Sequence, residues 1–456
     1  MDIRGKTVLV VGLARSGIAA ARLLHKKGAN VIINEQRKES EVSSAAEELK
    51  EDIDCEFYLG QDPDGVLDRV DQIVLSPGVP TDARFLIKAA DMGIEVISEV
   101  ELAYRYCKAP IVAVTGTNGK TTTTAWIGEI LKASGTATHV AGNIGIPFTG
   151  KVEEIDAADQ VVVEISSFQL ETIVQFRPRV SLILNISEDH LDRHKTMDQY
   201  IAAKCRIFQN QGRGDYLVLN GDDPVLSSIQ PQNEVRVFYF SRTQTLSEGA
   251  WVENGRIYMN IGAGAVPVCE ISQVGIPGTH NLENALAAVL AAGLSGVEPH
   301  TIARVLREFP GVAHRIEKVD TINDITFYND SKGTNPDSSI RAIQAIPGPI
   351  VLIAGGYDKK GSFSEFINAF GSKVKELVLL GETAEIIAQT AKEKGFAKIH
   401  MTRSIEEAVE KAYELSSPGY QVLLSPACAS WDMFRDFEER GDRFKAAVKA
   451  LRRQAW

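Results

Sequence analysis

Cysteine is scarce in this chain: Cys55, Cys107, Cys205, Cys269 and Cys428 are scattered over 456 residues with no CxxC spacing. An odd, dispersed set argues against a disulfide framework and a structural zinc site, and fits a reducing compartment. Long apolar runs are missing too, since none approaches the ~20 residues that span a bilayer. The opening MDIRGKTVLVVG enters a strand-like segment directly, without the charged, apolar and small-residue regions of a secretory signal. These absences predict a cytoplasmic chain with no membrane insertion. Positive charge is also in deficit, with 49 Lys and Arg against 60 Asp and Glu and a net charge of −11. Phosphate backbones and anionic lipid surfaces are held by Lys and Arg, so this balance argues against nucleic-acid binding. Small anionic substrates remain open to it, because they need only a few placed cations. No repeat of roughly 20–50 residues and no low-complexity tract interrupts the chain.

What is present is ordinary globular material, 44% hydrophobic and 24% charged. The length suits about three domains at roughly 150 residues each. Short β-branched apolar runs bounded by Gly, Asp or Pro recur at 8–11, 31–34 and 72–76, and again at 111–114, 161–165, 181–185 and 216–219. A third series lies at 325–328, 349–354, 375–380 and 422–424. Helix-period segments such as 18–27 and 41–51 lie between the runs. Alternation of this kind predicts α/β domains, with parallel sheets covered by helices on both faces. Residues 242–275 depart from it with polar, Gly-interrupted alternation, which predicts antiparallel hairpins added to the middle series. Linkers are expected near 104–110 and at Phe309-Pro310-Gly311, giving domains of 1–107, 108–311 and 312–456.

The strand at 8–11 leads into Gly12-Leu13-Ala14-Arg15-Ser16-Gly17 and then a helix. The spacing is that of a dinucleotide fingerprint with Ala14 replacing the second glycine, the one that lets the backbone touch a pyrophosphate. A nicotinamide dinucleotide, another nucleotide diphosphate and a merely tight turn all stay open. Glu35, about 20 residues on, stands where an acidic group accepts from a ribose or base. Ser76-Pro77-Gly78 ends the third strand at the same carboxyl edge, where ligands of such sheets bind.

A second loop is more specific. Thr115-Gly116-Thr117-Asn118-Gly119-Lys120-Thr121-Thr122 follows a strand and opens a helix, so backbone N–H groups can wrap phosphate oxygens. It is a shortened P-loop, lacking the first glycine of GxxxxGK[ST]. Lys120 is placed for the β- and γ-phosphates and Thr121 for magnesium. Glu164 ends the strand at 161–165, where a carboxylate beside a P-loop can hold Mg²⁺; the plainer alternative is a cap for the next helix. His190 follows another strand among Glu188, Asp189 and Asp192, so a ligand or catalytic role competes with that of a structural histidine. By periodicity alone, Lys204 reads as a solvated surface lysine.

Taken together, GTNGKTT at 116–122, Glu164 with SSFQLE, NISEDHLD at 185–192 and GTHNLEN at 278–284 resemble the Mur ligases of peptidoglycan synthesis, over essentially the whole chain. NDSKGTN at 329–335, LSPACASWDMF at 424–434 and FEERG at 437–441 resemble the D-glutamate-adding branch of that family. The DNPR-type motif of the diaminopimelate- or lysine-adding branch is not found. Folylpolyglutamate synthases share the central loop but lack a first domain of this kind. The resemblance implies a Rossmann-like N-terminal domain, a central P-loop ATPase-like domain with a parallel sheet, and a Rossmann-like C-terminal domain. It implies a monomeric cytoplasmic ligase that uses ATP and Mg²⁺ at two sites to join D-glutamate to UDP-N-acetylmuramoyl-L-alanine through an acyl phosphate. Closure of the third domain onto the second is expected with it.

By the same resemblance, Arg15, Ser16, Glu35, Gln36, Arg37, Ser76 and Gly78 hold the UDP end, and Asn143 and His190 the muramoyl part. Glu35 departs from the Asp often found at its position. Gly116, Thr117, Asn118, Gly119, Lys120, Thr121 and Thr122 hold ATP, with Asn281, Asn284, Arg315 and Asp330 around the nucleotide. Thr121 and Glu164 bind one metal; His190 and Lys204 serve a second, the lysine as a CO₂-derived carbamate. Lys120, Glu164, His190 and Lys204 form the catalytic set, and Lys332, Thr334, Lys359, Ser430 and Phe437 the D-glutamate pocket. Every substrate is an anion, so attraction in this acidic chain must be local, at Arg37, Lys120, Arg315, Lys332, Lys359 and Mg²⁺. Three rivals remain: an amide ligase for another amino acid, a nicotinamide oxidoreductase using the first loop, and a nucleotide-binding protein without turnover.

Overall fold

A computed structural model of the chain describes residues 2–143, 145–357 and 362–454. The first sheet is built from β1 (Thr7–Val11), β2 (Asn30–Glu35), β3 (Glu56–Leu59), β4 (Gln72–Leu75) and β5 (Glu95–Ser98), in the order β3-β2-β1-β4-β5. All its pairs are parallel. Val8, Leu9 and Val10 of β1 are fully buried, as a strand covered by helices on both faces requires. The order reverses between β1 and β4, which opens a crevice at the carboxyl edge of the sheet.

The second sheet holds β6 (Ile111–Thr115), β7 (Thr138–Gly142), β8 (Gln160–Glu164), β9 (Val180–Ile183), β10 (Tyr216–Asn220), β11 (Arg236–Ser241), β12 (Gly249–Glu253), β13 (Arg256–Asn260) and β14 (Val266–Glu270). Their order is β14-β13-β12-β11-β10-β9-β6-β8-β7. β12, β13 and β14 pair antiparallel, as expected for 242–275, whereas β12 joins β11 in parallel. The third sheet has β15 (Glu317–Ile322), β16 (Ile325–Asn329), β17 (Ile350–Ala354), β18 (Val374–Leu379), β19 (Ile399–Met401) and β20 (Gln421–Leu424), ordered β15-β16-β20-β17-β18-β19. Among the described residues only β15 runs antiparallel to its neighbour.

Contacts divide the chain into two compact units, Met1–Gly275 with His280–Phe309, and Ile276–Thr279 with Pro310–Trp456. The first two sheets share the first unit. One hydrophobic cluster runs from Val10 and Leu24 through Val100, Leu102 and Phe148 into Val163 and Phe176. Each such buried side chain contributes about 1.5–3 kcal/mol relative to exposure. Two carboxylates on the short helix Glu99–Tyr104 fasten the seam. Glu99 Oε1 accepts from the Thr149 N–H and hydroxyl at 2.6 and 2.7 Å. Glu101 accepts from the N–H groups of Val174, Gln175 and Phe176 at 2.9–3.1 Å. In the second unit, two apolar clusters cover opposite faces of the third sheet. Among the described residues no disulfide joins the cysteines, and no helix is long and apolar enough to cross a membrane.

Candidate functional site: two glycine loops and a C-terminal cluster

At the carboxyl edge of the first sheet, β1 is followed by Gly12, with φ +101°, and then by the helix Arg15–Lys26. The turn is tight, because a methyl group at Gly17 would lie 1.8 Å from the Gly12 carbonyl oxygen. Glu35, the last residue of β2, closes the loop. Its Oε2 accepts from the Leu13 N–H and from Arg37 Nη2, both at 3.0 Å, and its Oε1 from the Arg37 N–H at 3.1 Å. Burial pushes this carboxyl up, but the Arg37 guanidinium and the two amides outweigh burial and hold it at about 2. Ser76 Oγ donates to the Gly12 carbonyl at 3.4 Å, and the Val79 N–H returns to the Ser76 carbonyl at 3.1 Å, turning the chain at Gly78. Arg15, Gln36 and Arg37 are exposed on this edge and Ser16 is half-buried. The sequence-read residues of the first loop therefore share one sheet edge.

In the second sheet, β6 lies between β8 and β9 and ends in the second loop. Gly119, at φ +84°, caps the helix Lys120–Ala133; a methyl group there would come within 2.2 Å of Asn284 Oδ1. Asn284 donates to Asn281 Oδ1 at 3.3 Å, so this buried pair stands against the loop. Asn185, two residues past β9, braces it: its Oδ1 accepts from the Asn118 N–H at 2.8 Å, and its Nδ2 donates to the Asn118 carbonyl at 3.1 Å. Lys120 Nζ donates to the Gly116 and Thr117 carbonyls at 2.9 and 2.8 Å. Lys204 Nζ reaches the same Gly116 carbonyl at 2.9 Å.

Lys204 is only 2% exposed, so the solvated lysine suggested by periodicity is overturned. The helix Met197–Cys205 turns it and Tyr200, one turn earlier, onto the loop. Nζ lies 4.5 Å from the Tyr200 ring centre, and the Tyr200 hydroxyl meets Thr117 Oγ1 at 3.1 Å. Burial, then the nearby Lys120 charge, drive the Lys204 pKa well down, against the opposing pull of Asp189 and Glu164. Glu164, at the end of β8, is also 2% exposed. Its Oε1 accepts from Asn143 Nδ2 at 2.9 Å, whereas Oε2 is buried with no hydrogen-bond partner. Thr121 and Thr122 are buried at the start of the loop helix.

His190 is half-exposed and left-handed, at φ 54° and ψ 31°. Its ring meets Phe168 edge-on at 4.8 Å, and Nε2 lies 3.5 Å from Asp189 Oδ2. Among the described residues no three His, Cys, Asp or Glu side chains are grouped to hold a metal.

The second unit assembles the remaining residues. Asp330 follows β16; its Oδ2 accepts from the Ser425 hydroxyl at 2.7 Å and its Oδ1 from the Ile316 N–H at 3.3 Å. Burial raises its pKa to about 6 despite Ser425 and the Arg315 charge. Lys332 Nζ lies 5.4 Å from the Phe437 ring centre, and its carbonyl accepts from the Thr334 N–H at 2.8 Å. Ser430 is buried. Lys359 lies outside the described residues. Arg440, which sequence reasoning assigned no role, is 1% exposed and ties both loops: Nε and Nη2 donate to Ser331 Oγ and carbonyl at 3.0 and 2.8 Å, and Nη1 donates to the Ala429 carbonyl at 3.1 Å. Burial lowers its pKa to about 10. The one available signal was register, since Arg440 stands at helical spacing from Phe444, Val448 and Leu451, which line the buried face of the last helix. Asn185, Tyr200 and Phe168 were likewise given no role, because each acts through another residue.

Three α/β sheets in series, the middle one carrying a shortened P-loop, describe a nucleotide-handling class, and comparison with known proteins narrows it. Family models for a Mur ligase MurD-like N-terminal domain, a Mur ligase middle domain and a Mur ligase glutamate ligase domain match residues 6–98, 114–292 and 314–428. The UDP-N-acetylmuramoylalanine–D-glutamate ligase of Thermoanaerobacter pseudethanolicus is 52% identical over 455 residues, covering 99% of this chain and 100% of its own. The protein of the same name from Clostridioides difficile is 47% identical over 453 residues, again covering 99% and 100%. Among solved structures, the UDP-N-acetylmuramate–alanine ligase MurC of Thermotoga maritima shares the fold, with a TM-score of 0.61 at 20% identity, covering 98% of this chain and 99% of that one. MurF ligase from the same organism, solved in complex with ADP, gives 0.58 at 15% identity, covering 99% and 96%. The chain belongs to the Mur ligase family.

Proposed function

We propose that the chain is an ATP-dependent ligase that joins D-glutamate to UDP-N-acetylmuramoyl-L-alanine during the synthesis of peptidoglycan precursors. The observation that carries phosphoryl transfer is the convergence of Lys120 and Lys204 on the Gly116 carbonyl of a P-loop. The choice of substrates is supported by the full-length relatives. The reaction moves the γ-phosphoryl of ATP to the terminal carboxylate of the muramoyl substrate. The amine of D-glutamate attacks the resulting acyl phosphate, a proton leaves the nitrogen, and phosphate departs as the amide forms. Phosphorylation is needed because a carboxylate offers no competent leaving group.

In this reading the amides of Gly116, Thr117, Asn118, Gly119, Thr121 and Thr122 wrap the phosphates, and Lys120 leaves its two carbonyls to meet the transferring group. Asn281 and Asn284 border the nucleotide, and the family resemblance assigns Arg315 and Asp330 to it as well. The unpartnered Glu164 oxygen and buried Thr121 fit a hard divalent cation. Mg²⁺ bound there supplies charge neutralisation between two anions. Lys204, whose burial favours the neutral amine, would take up CO₂ with loss of a proton, and as a carbamate it would hold a second cation together with His190. Arg15, Ser16, Glu35, Gln36, Arg37, Ser76 and Gly78 take the UDP end, with Asn143 and His190 along the muramoyl part. Lys332, Thr334, Lys359, Ser430 and Phe437 take D-glutamate, whose two carboxylates suit a pair of lysines. We infer domains of 1–107, 108–311 and 312–456 and a monomeric cytoplasmic enzyme.

The test is phosphate release from ATP with Mg²⁺ and UDP-N-acetylmuramoyl-L-alanine, adding one amino acid at a time. Release only with D-glutamate is expected; release indifferent to D-glutamate overturns the assignment.

A further inference from the structure

Between the two glycine loops lies a polar cluster that neither substrate site uses. Arg193 sits on the four-residue helix Leu191–His194, which begins at left-handed His190. Its Nη2 donates to Glu171 Oε2 at 2.6 Å and to the Val79 carbonyl at 2.8 Å. Val79 closes the turn that starts at Ser76, so Arg193 reaches the first loop's own neighbourhood. The guanidinium lies 5.2 Å from the Phe168 ring centre, and the same ring meets His190 edge-on. Glu171 also faces His194 Nδ1 at 3.4 Å and accepts from Thr81 Oγ1 at 3.4 Å. His194 in turn meets Ser167 Oγ at 2.9 Å and packs against both Phe168 and Tyr200.

The Arg193 and Glu171 side chains are each 14% exposed. A pair this withdrawn from water is costly to break from one side, because the remaining charge loses its partner in poor solvent. The cluster is therefore a stiff link between the Ser76–Val79 turn and the His190 segment, both in the first unit.

The structure assigns Arg193 as a positioning residue that clamps the turn of the UDP subsite to the segment carrying His190, so that occupancy of the first loop orders the imidazole. This deepens the proposed function and rests on it. Energy from the remote nucleotide end of the substrate is thereby spent on alignment at the reacting end. Arg193 touches no reacting atom in this scheme.

Hydrogen exchange with UDP alone provides a readout without metal or turnover. In the unchanged chain, UDP slows exchange both at 12–16 and 76–79 and at 186–196. In Arg193→Gln the first protection persists and the second is lost. Equal protection of 186–196 in both proteins overturns the clamp. Absence of any protection at 12–16 overturns the UDP reading itself and the clamp with it, so the two failures are distinguishable. Kinetics supply the second arm: deleting the uridylyl group from the substrate lowers kcat in the unchanged enzyme by about tenfold. In Arg193→Gln the same deletion has little effect on kcat; an undiminished ratio contradicts the proposal. Should Arg193→Gln fail to fold, Glu171→Gln receives the same two measurements. It is expected to lose part of the coupling, and full retention counts against the clamp.

Discussion

The two glycine loops of the first unit occupy the same place in their sheets and are held by opposite charges. In the first, a carboxylate fills the loop: Glu35 accepts from the Leu13 amide and from Arg37, and both of its oxygens are engaged. In the second, cations fill the loop: Lys120 and Lys204 both donate to the Gly116 carbonyl, while Glu164 on the adjacent strand keeps one oxygen without a partner. Both acids end a parallel strand, so position alone does not separate them. Satisfaction does. Fully partnered Glu35 fixes its loop, whereas Glu164, beside the P-loop, keeps a buried oxygen that a cation would satisfy.

The sharpest way to break this contrast is Lys204→Arg, which keeps a cation but cannot form a carbamate. Turnover is expected to fall by about 10³-fold or more, measured by phosphate release; a fully active variant rejects the carbamate. Glu164→Gln follows, with kcat lowered roughly 10²–10³-fold and the unfolding midpoint little changed, because the amide oxygen can still accept from Asn143. The same change at the first loop, Glu35→Gln, should act on the KM of the UDP substrate by about tenfold and leave kcat nearly intact. A kcat effect at Glu35 comparable to that at Glu164 would erase the distinction between the loops.

Much of the fold was legible in the sequence, and the reason is the burial pattern. Central strands such as β1, β6 and β17 are covered on both faces and appear as continuous apolar runs. Edge strands were passed over: β3, β5, β7, β15 and β19 all close a sheet on one side, and partly exposed sequences such as Glu-Phe-Tyr-Leu in β3 carry no such run. At the sites, contiguous motifs announced Lys120 and Glu164. Lys204 did not announce itself, since its burial depends on where a helix docks, and Arg193 was hidden because its partners are 22 and 114 residues away.

Two smaller effects sharpen the comparison by pH. Asp330 has a raised folded pKa, so its neutral form stabilises the fold below the ordinary carboxylate range, and that contribution is lost as pH rises through about 6. Asp330→Asn is expected to gain about 1–3 kcal/mol over the unchanged chain above that pH and to match it in acid, by denaturant midpoints. Glu35 has the opposite sign: its contribution is present above about 4.5 and lost as pH falls through about 2. Glu35→Gln should cost about 1 kcal/mol at neutral pH, after allowance for the half-exposed Arg37. The deficit should close in acid; a deficit independent of pH would assign it to packing.

The two acids on the helix Glu99–Tyr104 also bear on engineering. A segment excised at the start of β6 leaves Val174, Gln175 and Phe176 without the carboxylate that collects their amides, and uncovers the apolar side of Phe148. Modular exchange between relatives should therefore transplant the first two sheets as a single cassette, with the junction near residue 309 instead of residue 107.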